Sequence, residues 1–201
     1  MANVNKPSGF TPVRYLNGAP WNGAANIYSI AASYGVELAI GDPVISSGTA
    51  DTNGVPGIAL AAATGAIRGV IVGLGKTEGL IANPSNLDTT KRPASDPAVW
   101  YALVVDDPAV VFEIQEKANT VQLAATEVGL NQVPILATAG TYLSGWLLAS
   151  TTDATAATTA TLPLRLLGLS RKSGNAFGAY AKWLVKINVH ELGTGTGAAG
   201  V

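Results

Sequence analysis

The sequence predicts an all-β protein, a sandwich or barrel of short strands. Three observations predict it. Turn signals recur throughout, at Tyr34-Gly35, Gly41-Asp42-Pro43, Asn53-Gly54, Gly65, Gly73 to Gly79, Asp106-Asp107-Pro108, Gly129, Gly140, Gly168 and Gly174. Short runs rich in Val, Ile, Leu, Tyr and Trp lie between them, the spacing of many short strands. Several of those runs alternate with the period of two that a half-buried strand requires.

In chain order, strands are expected at 26–31, 36–40, 43–47, 57–63 and 66–73. Val99 to Val105 is apolar on both faces and suits a strand covered on both sides. Asp106-Asp107-Pro108 reads as a hairpin turn into Val110 to Glu116. There Val110, Phe112 and Ile114 share one face, and Glu113 falls on the opposite, exposed one. Leu123 to Val128 is a short helix candidate with Gly129 as its stop. Strands follow at 133–138, 142–149 and 161–169. In Ala181 to Val189, Ala181, Trp183, Val185, Ile187 and Val189 form an apolar face. Lys182, Leu184, Lys186, Asn188 and His190 form a basic outer face. Asn83 to Pro97, with three prolines and mixed charges, reads as an exposed excursion. Ser150 to Thr161 is either a hairpin tip or a polar strand.

These elements form one domain, residues 26–192, between two extended ends. Residues 1–25 are an N-terminal arm rich in Asn, Gly and Pro. It carries Phe10, Tyr15 and Trp21, more aromatic surface than a disordered leader holds. The rings either fold back onto their own core or lie on another surface. Residues 193–201 are a Gly/Thr/Ala-rich tail, expected to be flexible alone.

The chemistry is thin. The chain has no cysteine, one histidine, one methionine and only 12% charged residues, against 48% apolar ones. Most catalytic mechanisms need titratable or metal-binding groups held in a cleft. Gly69 to Thr77 resembles a phosphate loop but has Val70 where glycine must stand six positions before Lys76. A dinucleotide loop through Gly73 and Gly75 would need a third glycine where Glu78 stands. His190 has no second imidazole or thiolate to complete a zinc site, and no G-x-S-x-G elbow accompanies it. Among carboxylates, Asp106, Asp107, Glu113 and Glu116 read as turn or solvated residues rather than a glycosidase pair. Asp51-Thr-Asn53-Gly54 starts like a calcium loop but lacks the later acidic ligands. No catalytic residue, metal ligand or cofactor is therefore assigned, and the expectation is no enzyme.

A net charge of −1 offers no basic excess for nucleic acid. The uncharged stretch from Val128 to Thr152 is broken by Gly129, Asn131, Pro134, Gly140 and Gly145, so no membrane helix is expected. The first residues lack the apolar core of a signal peptide. Without disulfides the fold rests on packing, which suits synthesis in a reducing cytoplasm.

The remaining motifs carry a resemblance. They are Asn5 to Gly9, Pro12 to Gly23, Ala39 to Val44, Phe112 to Glu116, and Asn175 to Asn188 followed by His190. Together these resemble tailed-bacteriophage capsid cement (decoration) proteins, of the kind in Bordetella-type short-tailed phages, over most of the chain. The resemblance implies a jelly-roll-like antiparallel β-sandwich on the outer capsid surface of the virion. It implies clamping of neighbouring major capsid subunits, with self-association as a dimer favoured and a trimer as the variant. Phe10, Arg14, Tyr15 and Trp21 are then the expected partner-interface residues, because interface anchors favour Trp, Tyr and Arg. Two rival expectations stand beside it. One is a virion-attached jelly-roll module that binds a glycan or host receptor through Trp146 and the 83–97 loop. The other is a glycosidase, with two acids about 5–9.5 Å apart in a cleft.

Overall fold

A computed structural model describes residues 3–76, 89–136, 143–193 and 197–200. The strands in chain order are β1 Thr11–Tyr15, β2 Asn26–Ile30, β3 Leu38–Ala39, β4 Pro43–Ala50, β5 Pro56–Leu60, β6 Gly69–Gly75 and β7 Lys91–Arg92. They continue with β8 Trp100–Val105, β9 Val110–Gln115, β10 Asn131–Gln132, β11 Pro134–Leu136, β12 Trp146–Leu148, β13 Leu164–Leu169 and β14 Lys182–Ile187. The all-β expectation holds. The helix candidate is a single 3-10 turn, Ala125–Glu127.

The strands divide between two units. β2-β5-β4-β6-β8 close into a barrel, and β1-β9-β14-β13-β10 form an open sheet. The sheet is antiparallel throughout; in the barrel only β2 and β5 run parallel. β11 pairs with β12 and β3 with β7 in two small ribbons. These pairings alone do not trace a jelly roll.

Period-two alternation explains how the units meet. Along β8, Trp100, Ala102 and Val104 fill the barrel with Tyr28, Ile30, Val44, Ile58 and Ile71. Val105, one residue on, points the other way and joins Ile67 and Val70 in the core of the sheet. One barrel wall thus packs on the sheet face formed by Phe112, Ile114, Leu164, Trp183 and Val185. Each such fully buried side chain contributes roughly 1.5–3 kcal/mol. Main-chain bonds from Ile67 N to Val189 O (2.9 Å) and Glu191 N to Ile67 O (3.1 Å) seal the joint.

Both ends correct the expectation of extended arms. Residues 11–15 are a strand of the sheet, paired to β9. Residues 197–200 of the tail dock on the same domain. Asn131 Nδ2 donates to Ala198 O at 2.8 Å, Arg165 Nη2 donates to Ala198 O at 2.8 Å and also to Ala199 O, and Ala198 N reaches Asn188 Oδ1 at 3.1 Å. Gly197 lies so close to Ala160 O that a Cβ there would clash.

The 83–97 excursion is only partly exposed; its residues 83–88 lie outside the described ones. Arg92 is fully buried. It donates to the carbonyls of Tyr34 (2.9 Å), Ala31 (3.1 Å) and Pro93 (3.0 Å), pinning two loops at one end of the barrel. A buried guanidinium needs such acceptors to offset its lost hydration. Ser150 to Thr161 is a turn-rich loop, bridged to Asn131 through Ala157.

Candidate functional site

The four residues expected at a partner interface fall into two groups. Phe10 is 2% exposed and meets Phe112 edge-on at 6.1 Å between centroids. It is a core residue, a correction to the arm reading, because Gly9 turns the chain inward just before it. Gly9 adopts φ +63 and lies against Gly41 O and the Ser144 side chain. Only a glycine fits that approach.

Arg14, Tyr15 and Trp21 stay half-buried on a tight hairpin. Gly18, at φ +91, makes its turn. Tyr15 N donates to Ala19 O at 2.8 Å, and Trp21 N to Val13 O at 3.3 Å. The side chains are tied as well: Tyr15 OH to Asn22 Oδ1 at 2.9 Å, Trp21 Nε1 to Ala24 O at 3.2 Å, and Arg14 Nη1 to Tyr15 O at 3.3 Å. Leu16, 46% exposed, sits at the hairpin tip. The result is a preformed hairpin that carries two aromatic rings resting on the core of the sheet, one half-exposed guanidinium and one exposed leucine.

The carboxylates are structural. Glu113 is buried, contrary to its expected exposure, because Ser170 and Lys172, from the loop after β13, cover it. It accepts from Ser170 Oγ at 2.6 Å and Lys172 Nζ at 2.8 Å. Burial opposes its ionisation, but Lys172 and Ser170 outweigh it and hold the carboxyl below its ordinary value. Glu116 is also buried rather than solvated. It accepts from Leu123 N at 2.6 Å and Trp183 Nε1 at 2.9 Å, and burial pushes it up to about 7. Asp107 caps its turn through Ala109 N (2.7 Å), whereas Asp106 is buried and accepts from Tyr28 OH at 2.5 Å and Asn26 Nδ2 at 2.8 Å. Asp51 closes a turn, accepting from Val55 N at 2.8 Å and Tyr101 OH at 2.8 Å.

His190 corrects its expected outer-face position. β14 ends at Ile187, the alternation of burial runs on through Asn188 and Val189, and it breaks at His190, which turns inward to 4% exposure. Its Nδ1 accepts from Leu192 N at 3.0 Å, so the ring is held neutral with its proton on Nε2. Burial lowers its pKa. Among the described residues no cluster of three or more His, Asp or Glu side chains could hold a metal ion.

One cavity brings two acids together, Glu37 and Asp42, under Trp146 and Leu60. Its volume is ≈ 130 Å³, below the roughly 300–1,000 Å³ of ligand pockets. Glu37 is paired with Lys91 at 2.7 Å, and Asp42 accepts from Ala39 N at 2.7 Å. Trp146 is 3% exposed, so it offers no open stacking face for a sugar.

A wider groove, ≈ 310 Å³, opens on the back of the sheet between residues 3–6 and the loop leading into β14. Lys6, Lys172 and Lys182 line it. The basic outer face of β14 was legible in the sequence; the N-terminal wall of this groove was not, because nothing local signals where residues 3–6 lie.

Compared with known proteins, the chain matches no family model, no curated protein and no solved structure.

Proposed function

We propose that this chain is a non-enzymatic structural protein that binds the outside of a phage capsid and clamps neighbouring major capsid subunits, acting as a dimer. The observation that carries the reading is the N-terminal hairpin. Arg14, Tyr15 and Trp21 stand half-exposed on a hairpin that follows the buried Phe10, rests on the core of the sheet through Tyr15 and Trp21, and is rigidified by its own hydrogen bonds. Preorganised aromatic and arginine side chains are the usual anchors of protein interfaces. The buried acids bonded to backbone, Trp, Tyr, Ser and Lys groups suit a rigid body rather than a reaction centre. The all-β architecture, with its several antiparallel sheets, is compatible with a β-sandwich, the coarser class to which a jelly roll belongs. Two linked copies make the second attachment effectively intramolecular, which raises avidity by roughly 10²–10⁴.

The test is the molar ratio of this chain to the major capsid protein in purified virions, by quantitative mass spectrometry. A simple fixed fraction is expected. Absence from particles overturns the proposal, and a few dozen copies per particle point instead to a tail or receptor-binding part. On particles stripped of the protein, Arg14→Glu combined with Leu16→Asp should abolish rebinding while the melting temperature is kept, because Leu16 is exposed whereas Trp21 packs on the core of the sheet.

A further inference from the structure

The groove behind the sheet is built, not incidental. Asn3 clamps the N-terminal segment onto the loop before β14. Its Nδ2 donates to Ala176 O at 2.8 Å and Ala179 O at 2.9 Å, and its Oδ1 accepts from Ala176 N at 3.0 Å. Gln115 holds the next residues, accepting from Lys6 N at 2.8 Å and donating to Asn5 Oδ1 at 2.9 Å. Val4, between the two clamps, is left 73% exposed on the groove wall.

The opposite wall is equally fixed. The Asn175 side chain donates to Ser170 O and Lys182 O at 2.8 Å each and accepts from Lys182 N at 2.9 Å. Tyr180, which lines the groove, has φ +62. A non-glycine residue held in the left-handed region costs roughly 1–3 kcal/mol and persists only where its surroundings over-determine it.

Charge gives the groove its sign. Among the described residues no acidic one lines it. Glu113 lies beneath, with Lys172 at 2.8 Å and Lys182 at 3.7 Å, so one carboxylate faces two ammonium groups. Among the described residues Lys6 makes no side-chain ion pair. A chain with net charge −1 therefore concentrates a cationic excess at one rigid, partly apolar groove.

We propose that this groove docks an acidic peptide segment of a partner protein. Its carboxylates would meet Lys6, Lys172 and Lys182, and an apolar side chain would lie against Val4. Three lysines in one short groove are too few for a nucleic-acid track, whose affinity grows with the number of phosphates neutralised. A free small anion would leave the Val4 wall unused. The inference does not rest on the capsid reading: the groove and the hairpin involve different residues, and either can fail alone.

The test is fluorescence anisotropy on the full chain at low salt. The probe is a short fluorescein-labelled peptide of alternating Asp and Leu. Saturable binding that weakens with added salt is expected, and the same peptide with Asn in place of Asp should not bind. Lys6→Glu should weaken binding about tenfold, and Val4→Asp should weaken it as well, both with the wild-type melting temperature. These positions are chosen because Lys172 and Lys182 neutralise the buried Glu113, and replacing them would disturb the fold. The proposal is overturned by no saturation up to about 1 mM peptide, by equal binding of the Asn peptide, or by a folded Lys6→Glu variant with full affinity. Displacement by low-millimolar inorganic phosphate, or binding of phosphatidylserine vesicles or oligothymidine in place of the peptide, overturns it too.

Discussion

Trp183 Nε1 donates to Glu116 Oε2 at 2.9 Å, and neither side chain reaches solvent. The carboxyl bridges β14 to the segment after β9, since its other oxygen accepts from Leu123 N at 2.6 Å. Burial raises it to about 7 from an ordinary 4.5, despite both donors. Between those values the native state binds more protons than the unfolded chain. The stabilisation is therefore full below about pH 4.5 and is lost as pH rises to about 7. It amounts to about 3 kcal/mol over the window. Glu116→Gln should remove that slope in urea unfolding and cost about 1–3 kcal/mol, because its NH2 meets an N–H donor. An unchanged slope in the variant refutes the assignment.

Phe10 makes a prediction about truncation. Residues through Asn5 can be removed without touching the main core. Removal through Ala24 takes away β1 and the Phe10–Phe112 contact, and the protein should fail to fold cooperatively. Phe10→Ala alone should cost about 3–5 kcal/mol, read by thermal or urea unfolding. A truncation through Ala24 that melts like the full chain contradicts this. Capsid-binding tests therefore need point variants on the hairpin rather than deletion of the segment.

The strands were legible because their signals are local. Val99 to Val105, Val110 to Glu116 and Ala181 to Val189 carry period-two patterns and turn punctuation, and all three are strands. β1, β7 and β10 were not legible. Thr11–Tyr15 contains Pro12, while Lys91–Arg92 and Asn131–Gln132 are polar pairs without periodicity. Their pairing is imposed by distant neighbours. The same applies to the site. Arg14, Tyr15 and Trp21 were identified by residue type and remain half-exposed. Phe10, of the same type, is inside, because Gly9 and its contact with Gly41 and Ser144 redirect the chain. Glu113 and His190 were placed outward by alternation alone. Ser170 and Lys172, from the loop after β13, cover the first, and the second turns inward beyond the end of β14 at Ile187.

Gly9 itself gives the next prediction. A Cβ at this position would stand 2.4 Å from Gly41 O and 2.4 Å from Ser144 Cβ, on a backbone at φ +63. Strain and clash act together, so Gly9→Ala should destabilise by about 2–4 kcal/mol. Gly23→Ala is the control: its φ is also positive, +88, but its Cβ would meet nothing within 4 Å. It should cost only the backbone term, about 1 kcal/mol. Equal losses at the two positions count against the close-approach argument.

The docked tail depends on few side chains. Arg165 donates to Asn131 Oδ1 at 2.8 Å and to the carbonyls of Ala198 and Ala199. Arg165→Ala should release residues 197–200, with faster amide exchange at Gly200, whose N–H now bonds Thr158 O at 2.9 Å. The global melting temperature should move little, because these residues add no side chain to the main core. Unchanged exchange at Gly200 shows that Arg165 does not hold the tail.

His190 sets a slope opposite to that of Glu116. The ring is buried at the joint between barrel and sheet, with Arg68, Asp106, Asp107 and Glu191 as its charged neighbours. Desolvation lowers its pKa from the ordinary 6.5, although the three acids act the other way. A protonated ring would also place an Nδ1–H against the Leu192 N–H it now accepts. The unfolded chain therefore binds the proton more readily. This contribution is present above pH 6.5 and is lost as pH falls toward the lowered native value. From pH 6.5 down to the lowered native value of His190 the two buried groups offset each other in the wild type. Single variants separate them. His190→Asn keeps an oxygen acceptor for Leu192 N and leaves the Glu116 slope, so its stability should fall as pH rises. Glu116→Gln leaves the His190 slope, so its stability should rise with pH over the same window. Urea midpoints measured across it decide the matter, since slopes of the same sign in both variants exclude the opposed pair.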